Sequence, residues 1–242
     1  MKRPRIIAHR GASATYPENT MIAFRAAEKM LADGIELDLQ LSLDQEVVVI
    51  HDYTLNRTTN GRGAVLSHTF AQLHRLDAGS WKHPRFHKAR IPHFAEVCDF
   101  LQRNHLDLVI ELKNFLLPQP GLEEKVLAML EEYQLLSRTV ISSFNFDSLR
   151  LVKQLSANVT TALLYVGDLN SPWELAERYG AERLHAPHDV ITPQLITAAH
   201  QRGLQVYAWT VNERKVMQRM SKMGVDGLIT DHPQRARNIQ LG

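Results

Sequence analysis

The sequence has little that would tie it to another molecule's surface. It holds one cysteine, Cys98, so no internal disulfide can form, and a reducing compartment is its natural setting. No stretch approaches the roughly 18 apolar residues of a membrane helix. Neither sign of charge dominates: 28 basic residues stand against 26 acidic ones, for a net charge of +2. That balance, without a basic stripe interleaved with aromatics, gives no reason to expect nucleic acid. The start, "MKRPRIIAHRG", is too short in apolar residues before His9 for the h-region of a signal peptide. A cytoplasmic protein without stable membrane insertion is expected. Gly61 opens "GRGAVL", which lacks the third glycine of a dinucleotide loop, and Ser142-Ser143 lack a nucleophile elbow. No Gly/Ser or Pro tract, low-complexity segment or internal repeat divides the chain, so residues 1–242 read as one domain, long enough to bury a sizeable core.

What is present is a rhythm. Short apolar runs read as strands over Arg5–Ala8, Ile35–Leu39, Val47–Ile50, Leu108–Leu112, Val140–Ser142, Thr160–Leu164, Arg183–His185, Gln205–Ala208 and Gly227–Thr230. Helical stretches fall between most of them: Met21–Ala32, Glu123–Tyr133, Phe146–Ser156, Trp173–Tyr179, Pro193–Arg202 and Arg214–Met223. Gly34, Gly180, Gly203 and Gly224 are placed to cap helix C-termini. Strands alternating with helices imply a parallel sheet covered by helices, and about eight such units favour a closed (β/α)8 TIM barrel. One segment breaks the pattern. "LSLDQEVVVIHD" reads as a hairpin turning at Asp44-Gln45, and the irregular polar stretch from Tyr53 to about Arg90 reads as a small insertion after the second barrel strand.

Several of these apolar runs end on chemistry. The first stops at His9-Arg10-Gly11. "GIELDLQ" puts Glu36 and Asp38 on one strand face, "VVVIHD" ends on His51-Asp52, and "LVIELKN" puts Glu111 and Lys113 on one face. In a barrel, active sites lie at the C-terminal ends of the strands. Three neighbouring carboxylates either raise one another's pKa or hold a cation, and an all-oxygen set favours Mg2+, with Ca2+ as the alternative, over zinc. Arg10 and Lys113 add positive charge suited to phosphate. His9 and His51 can supply the proton transfers that cleavage of a phosphodiester needs, and Asp52 can orient one of them. His9 is taken as the base and His51 as the acid, although the sequence does not decide between them. Trp209 is placed to stack on a glycerol or alcohol group, with Phe144 in a similar position.

The motifs "HRG…PENT", "IELDLQ…VVIHD", "RTTNG", "ELKN", "SSFN", "AWTVN" and "DGLITDHP" resemble, in order and over nearly the whole chain, those of the glycerophosphodiester phosphodiesterases, TIM-barrel enzymes. The resemblance is closest to the short cytoplasmic bacterial members. It implies His9 and His51 as the acid/base pair, Glu36, Asp38 and Glu111 as ligands of a divalent metal ion, and Arg10 and Lys113 as phosphate contacts. The implied reaction is hydrolysis of a small-molecule glycerophosphodiester to sn-glycerol 3-phosphate and an alcohol. The hairpin turn "SLDQEV" and the stretch "HKARIPHFAEV" depart from the usual pattern, away from those residues.

Other readings carry less. His68, His74, His83, His87, His93 and His105 crowd the insertion and the segment after it; His83 and His87 are four apart, but Pro84 argues against a helix there and no cysteine lies near, so all six read as surface residues. Lys113 can instead neutralise Glu111. "PENT" reads as a loop shaper, with Asn19 or Thr20 capping the next helix. Two rival functions remain: a non-catalytic barrel that binds a phosphate ligand, and a phospholipase-like phosphodiesterase acting on intact lipid, which would need an exposed apolar surface. A homodimer is left open.

Overall fold

Eight strands run parallel and close on themselves in the computed structural model, which describes residues 3–241. In chain order the strands are β1 (Arg5–Ala8), β2 (Gly34–Leu41), β3 (Val47–Val49), β4 (Asp107–Leu112), β5 (Thr139–Ser143), β6 (Thr160–Leu164), β7 (Arg183–Pro187), β8 (Gln205–Trp209) and β9 (Gly227–Thr230). The barrel order is β1-β2-β4-β5-β6-β7-β8-β9, and β9 pairs back to β1 through Arg5–Gly227 to Ala8–Thr230. β3 is the exception. It folds back antiparallel on β2, Leu39 opposite Val49, with the turn at Asp44-Gln45 closed by the Ser42 hydroxyl donating to Asp44. The helices are α1 (Met21–Lys29), α2 (Phe70–Leu73), α3 (Phe94–Gln102), α4 (Leu122–Glu132), α5 (Phe146–Leu155), α6 (Pro172–Tyr179), α7 (Pro193–His200), α8 (Arg214–Met223) and α9 (Pro233–Leu241). The architecture is a TIM barrel. Among the described residues no helix is long and apolar enough to cross a membrane.

Strand parity explains the interior. Ile7, Val109, Val140, Ala162, Tyr207 and Ile229 pack together as an apolar floor inside the barrel. Two residues further along the same strands stand His9, Glu111, Ser142, Leu164, Trp209 and Asp231. Because side chains on one strand face recur every second residue, the register that buries the floor lifts this second row toward the C-terminal mouth. Tyr207 fits inside only because β9 offers Gly227 beside it: a Cβ there would lie 2.1 Å from the ring. We therefore expect Gly227→Ala to destabilise the fold by ~1–3 kcal/mol, the usual cost of overpacking, with little change in denaturant m-value on chemical unfolding.

The segment after β3 has its own small core of Val48, Ile50, Leu55, Val65, Leu73, Ala78 and Ile91. Thr54 bridges Ala64 across it. Its closing helix, α3, is hard to see in the sequence because its cap is a histidine. His93 Nδ1 accepts from the Ala95 amide while Glu96 accepts from the His93 amide. α9 is equally hidden, because "PQRARNIQL" has no apolar stripe.

One expectation is corrected and another narrowed. Gly34 does not cap α1. It starts β2, while α1 ends at Lys29 with Met30 as its cap and Leu31 turning left-handed at φ 59°. Thr20 does take the N-cap position of α1, its carbonyl accepting from the Phe24 amide, but neither it nor Asn19 caps through its side chain: the Thr20 hydroxyl donates back to Pro17 O and Asn19 donates to Asp38.

Candidate active site

The mouth of the barrel holds a cavity of about 250 Å³ lined by His9, Arg10, Glu36, His51, Glu111 and Trp209, among others. Of the eight residues singled out from sequence, six therefore line it. Asp38 and Lys113 lie behind the wall, buried. Each reaches its place by a local cause. β2 presents Glu36 and Asp38 on the inward face, and the β2–β4 register sets Asp38 beside Glu111. Arg10 follows β1 in a left-handed turn completed by Gly11 at φ +81°, where a Cβ would strike the backbone of Ala23 at 2.7 Å.

Ligand atoms of Glu36, Asp38 and Glu111 lie within 4.8 Å of one another. Among the described residues this is the one group of histidines, cysteines or carboxylates that meets the geometry of a metal site. The six histidines of the insertion and its neighbourhood do not form another. The Arg10 amide donates to Glu36 Oε2 at 2.8 Å, and Asn19 Nδ2 donates to Asp38 Oδ2 at 2.7 Å. Lys113 Nζ sits 2.6 Å from Glu111 Oε1 and 3.9 Å from Asp38 Oδ1. Asp38 Oδ1 is buried without a hydrogen-bond donor.

The charges divide the carboxylates. Burial and the neighbouring Asp38 charge push Glu36 and Glu111 well above the usual range. Burial would raise Asp38 too, but Arg10, His51, Lys113 and the Asn19 amide hold it well below. Three acids packed so closely cannot all ionise comfortably unless positive charge joins them.

Both histidines are backed by aspartates. His9 Nδ1 and Asp231 Oδ1 are 2.7 Å apart, as are His51 Nδ1 and Asp52 Oδ1. An ionised carboxylate only accepts, so each Nδ1–H donates and each Nε2 is left for chemistry. Their environments then pull them apart. Burial works against protonation of His9, but the hydrogen bond to Asp231 and the charge of Glu36 outweigh it and raise its pKa. For His51, burial is joined by Arg10 and Lys113, which overcome Asp38 and Asp52, and its pKa falls.

Several partners escape a reading of the sequence. Asp231 is further held by the Ser13 hydroxyl and the Asn212 amide. It has a signal, as the inward residue two beyond Ile229. Glu18 and Arg57 carry no such signal. The Arg57 fork donates to both oxygens of Asp52 at 2.8 and 2.9 Å and to both of Glu18 at 2.7 Å. Glu18 in turn accepts from Arg10 at 2.8 Å. One guanidinium from the insertion thus spans the supports of His51 and Arg10. Arg57→Ala should leave folding intact, since the side chain is half-exposed, yet lower kcat by about ten-fold. Arg57→Lys should restore only part of it, because an ammonium cannot fork to two carboxylates. Steady-state kinetics on the two variants checks this. His185 is also unmarked in the sequence. It lies on the cavity wall, its Nε2 has no partner, and burial beside Arg183 pushes its pKa down to about 3. Trp209, the predicted stacking residue, is fixed by donating its indole N–H to His185 O at 3.0 Å.

Comparison with known proteins fits this geometry. The sequence profile of the glycerophosphoryl diester phosphodiesterase family matches residues 9–235. A glycerophosphodiester phosphodiesterase of Caldanaerobacter subterraneus is 42% identical over 234 residues, covering 97% of this chain and 96% of that one. One from Bacillus altitudinis is 38% identical, covering 98% of each. A phosphodiesterase of Oleispira antarctica, solved in complex with the product sn-glycerol-3-phosphate, superposes with a TM-score of 0.89 at 30% identity, covering 99% of this chain and 98% of that one.

Proposed function

Because the chain belongs to the glycerophosphoryl diester phosphodiesterase family, we propose that it hydrolyses glycerophosphodiesters to sn-glycerol 3-phosphate and an alcohol by histidine acid/base catalysis, with a divalent ion held by Glu36, Asp38 and Glu111. The enzyme is a glycerophosphodiester phosphodiesterase. The finer reading is carried by one observation: Glu36 and Glu111, with Asp38 buried close behind them, share one cavity with two aspartate-backed imidazoles.

The acidic set fits a hard ion, with only oxygen donors, ligand atoms close together, and an Asp38 oxygen lacking any donor. Mg2+ is first choice and Ca2+ second. Held there, such an ion would supply positive charge to offset an anionic substrate and Lewis acidity toward its phosphoryl group. Arg10, fixed by Glu18, adds a guanidinium for the phosphate, and Lys113, paired with Glu111 behind the wall, adds a second positive charge near it. Trp209 and Phe144 flank the organic part of the substrate.

The opposed pKa shifts favour the reverse of the order assumed from sequence. His9, the more readily protonated, gives its proton to the departing alkoxide. His51, the less readily protonated, takes one from the attacking water or from the glycerol 2-hydroxyl. Asp231 and Asp52 keep each ring oriented and each Nε2 turned to the reaction.

Release of glycerol 3-phosphate from glycerophosphocholine, assayed with and without EDTA, tests the whole reading. We expect steady turnover that EDTA stops and excess Mg2+ or Ca2+ restores. Tight binding with no turnover under any metal would favour the ligand-binding barrel. A cytoplasmic location belongs to this proposal, in keeping with a single, buried cysteine.

A further inference from the structure

Both aspartates that back the histidines are themselves supported, and both supports lead to the insertion. On the His51 side the link is direct, because Arg57 donates to Asp52. On the His9 side it runs through the turn after β1. The Ser13 hydroxyl lies 2.9 Å from Asp231 Oδ1, the same oxygen that accepts from His9 Nδ1, and 2.7 Å from His9 O. A hydroxyl carries one proton, so these two acceptors compete for it. Where the Ser13 backbone sits decides the share that reaches Asp231. Two contacts fix that backbone. The Ala14 amide donates to Asp231 O at 3.1 Å, and Lys82 Nζ, from the insertion, donates to Ser13 O at 2.8 Å. Both groups belong to one peptide unit, so an ammonium on its carbonyl polarises its N–H toward Asp231. The ammonium stands on the Asp231 side of the mouth: burial, Arg235 and Lys82 together lower the pKa of His232, the next residue. Asn212 holds the other oxygen, Oδ2, at 2.6 Å, and leaves the meeting of Oδ1 with the imidazole to Ser13.

We propose that Lys82 is a positioning residue for His9: through the Ser13–Ala14 peptide it holds Asp231, and so the imidazole, in the orientation that delivers a proton to the departing alkoxide. The proposal rests on the reading of His9 as the acid given above. Together with Arg57 it gives the insertion a defined part in the chemistry, one cation on the support of each histidine. The plain alternative is an anchor, a half-buried lysine tying the insertion to a turn 69 residues away in the chain. The two differ in what loss of the ammonium disturbs. Losing an anchor loosens the whole insertion, and with it Arg57 and His51. Losing a positioning group weakens proton delivery from His9 alone.

The test uses the full chain with its divalent ion. It compares Lys82→Met, which keeps the aliphatic stem, with Lys82→Arg, which keeps a cation able to donate to Ser13 O. The substrates are glycerophosphocholine, whose choline needs a proton to leave, and glycerophospho-p-nitrophenol, whose nitrophenolate does not. Lys82→Met should lower kcat on the first by about ten-fold, the scale of one hydrogen bond from a charged donor, and far less on the second. Lys82→Arg should recover most of the loss. Ser13→Ala, which removes the hydroxyl and keeps the carbonyl, should show the same dependence on leaving group. A second readout does not need turnover. The downfield proton resonance of His9 Nδ1–H, assigned by its absence in His9→Ala, should exchange faster with water in Lys82→Met and recover in Lys82→Arg. Equal losses of Lys82→Met on the two substrates overturn the proposal and leave Lys82 an anchor; where His9→Ala also loses equally, the acid assignment has fallen with it. Near wild-type kcat in Lys82→Met overturns it too, as does a Lys82→Arg no faster than Lys82→Met. If the wild-type protein releases no choline, the phosphodiesterase reading itself has failed and the resonance judges the link to His9. An unchanged signal in Lys82→Met then overturns that link, and faster exchange leaves it standing.

Discussion

Replacing His9 with alanine should lower kcat on glycerophosphocholine by about 10²–10⁴-fold and lower it far less on glycerophospho-p-nitrophenol. Choline is a poor leaving group and leaves as an alkoxide unless a proton meets it. Nitrophenolate leaves unaided. A variant that has lost only the acid is therefore rescued by the better leaving group, whereas one that has lost the base is not. His51→Ala should be slow on both. The expected pH profile of kcat/KM agrees: an alkaline limb set by His9, above the ordinary imidazole value, and an acid limb set by His51, below it. In the opposite assignment the productive protonation state would be the minor one at every pH. Asp231→Asn keeps the shape at His9 but removes the charge that holds its tautomer, so its loss should approach that of His9→Ala. Circular dichroism should show all three variants folded. If His9→Ala gave equal losses on the two substrates and His51→Ala the rescue, the roles are exchanged. If both kept near wild-type kcat, neither is catalytic.

Stripping the divalent ion should have the other large effect, and it reaches stability as well as turnover. At a hundred-fold excess over Kd, a ligand adds about 2.7 kcal/mol to a fold, which for a chain of this size is about 5–10 °C in Tm. The increment should depend on pH in a definite direction. Glu36 and Glu111 have raised pKa values in the folded chain, so the metal-free fold binds more protons than the unfolded chain does. It loses stability as pH climbs from the ordinary carboxylate range through the raised one. Asp38, held low, is ionised across that interval and adds no slope. A bound ion takes the place of the protons, so the difference in Tm with and without EDTA should widen as pH rises. Scanning calorimetry at several pH values measures it. Glu36→Gln should shrink the difference and weaken metal binding in calorimetric titration. Identical Tm values with and without EDTA would remove these acids as ligands.

The barrel is readable because its strands are buried on both faces and bounded by polar turns. Every expected strand and every expected helix is present, with ends displaced by a few residues. The polar residues that interrupt those strands are readable for the same reason, since parity puts Glu36, Asp38 and Glu111 on the inward side whatever the loops do. The links made by loops are not legible. Arg57 and Glu18 are 39 residues apart, and only the folding of the insertion against the "PENT" turn brings them together. His185 looks like a strand residue among others until the cavity exposes its position. The face of β4 that carries Lys113 suggests a phosphate contact, and its ammonium rests on Glu111. Spacing can place a side chain on a face, but it does not say which neighbour that side chain meets there.

The floor of Ile7, Val109, Val140, Ala162, Tyr207 and Ile229 also bears on the order of events in a catalytic cycle. It makes the chamber blind-ended. The incoming diester and both fragments share a single doorway, so whichever fragment lies deeper departs last and must be gone before the next molecule enters. That fragment will therefore act as a competitive inhibitor, and the other will not.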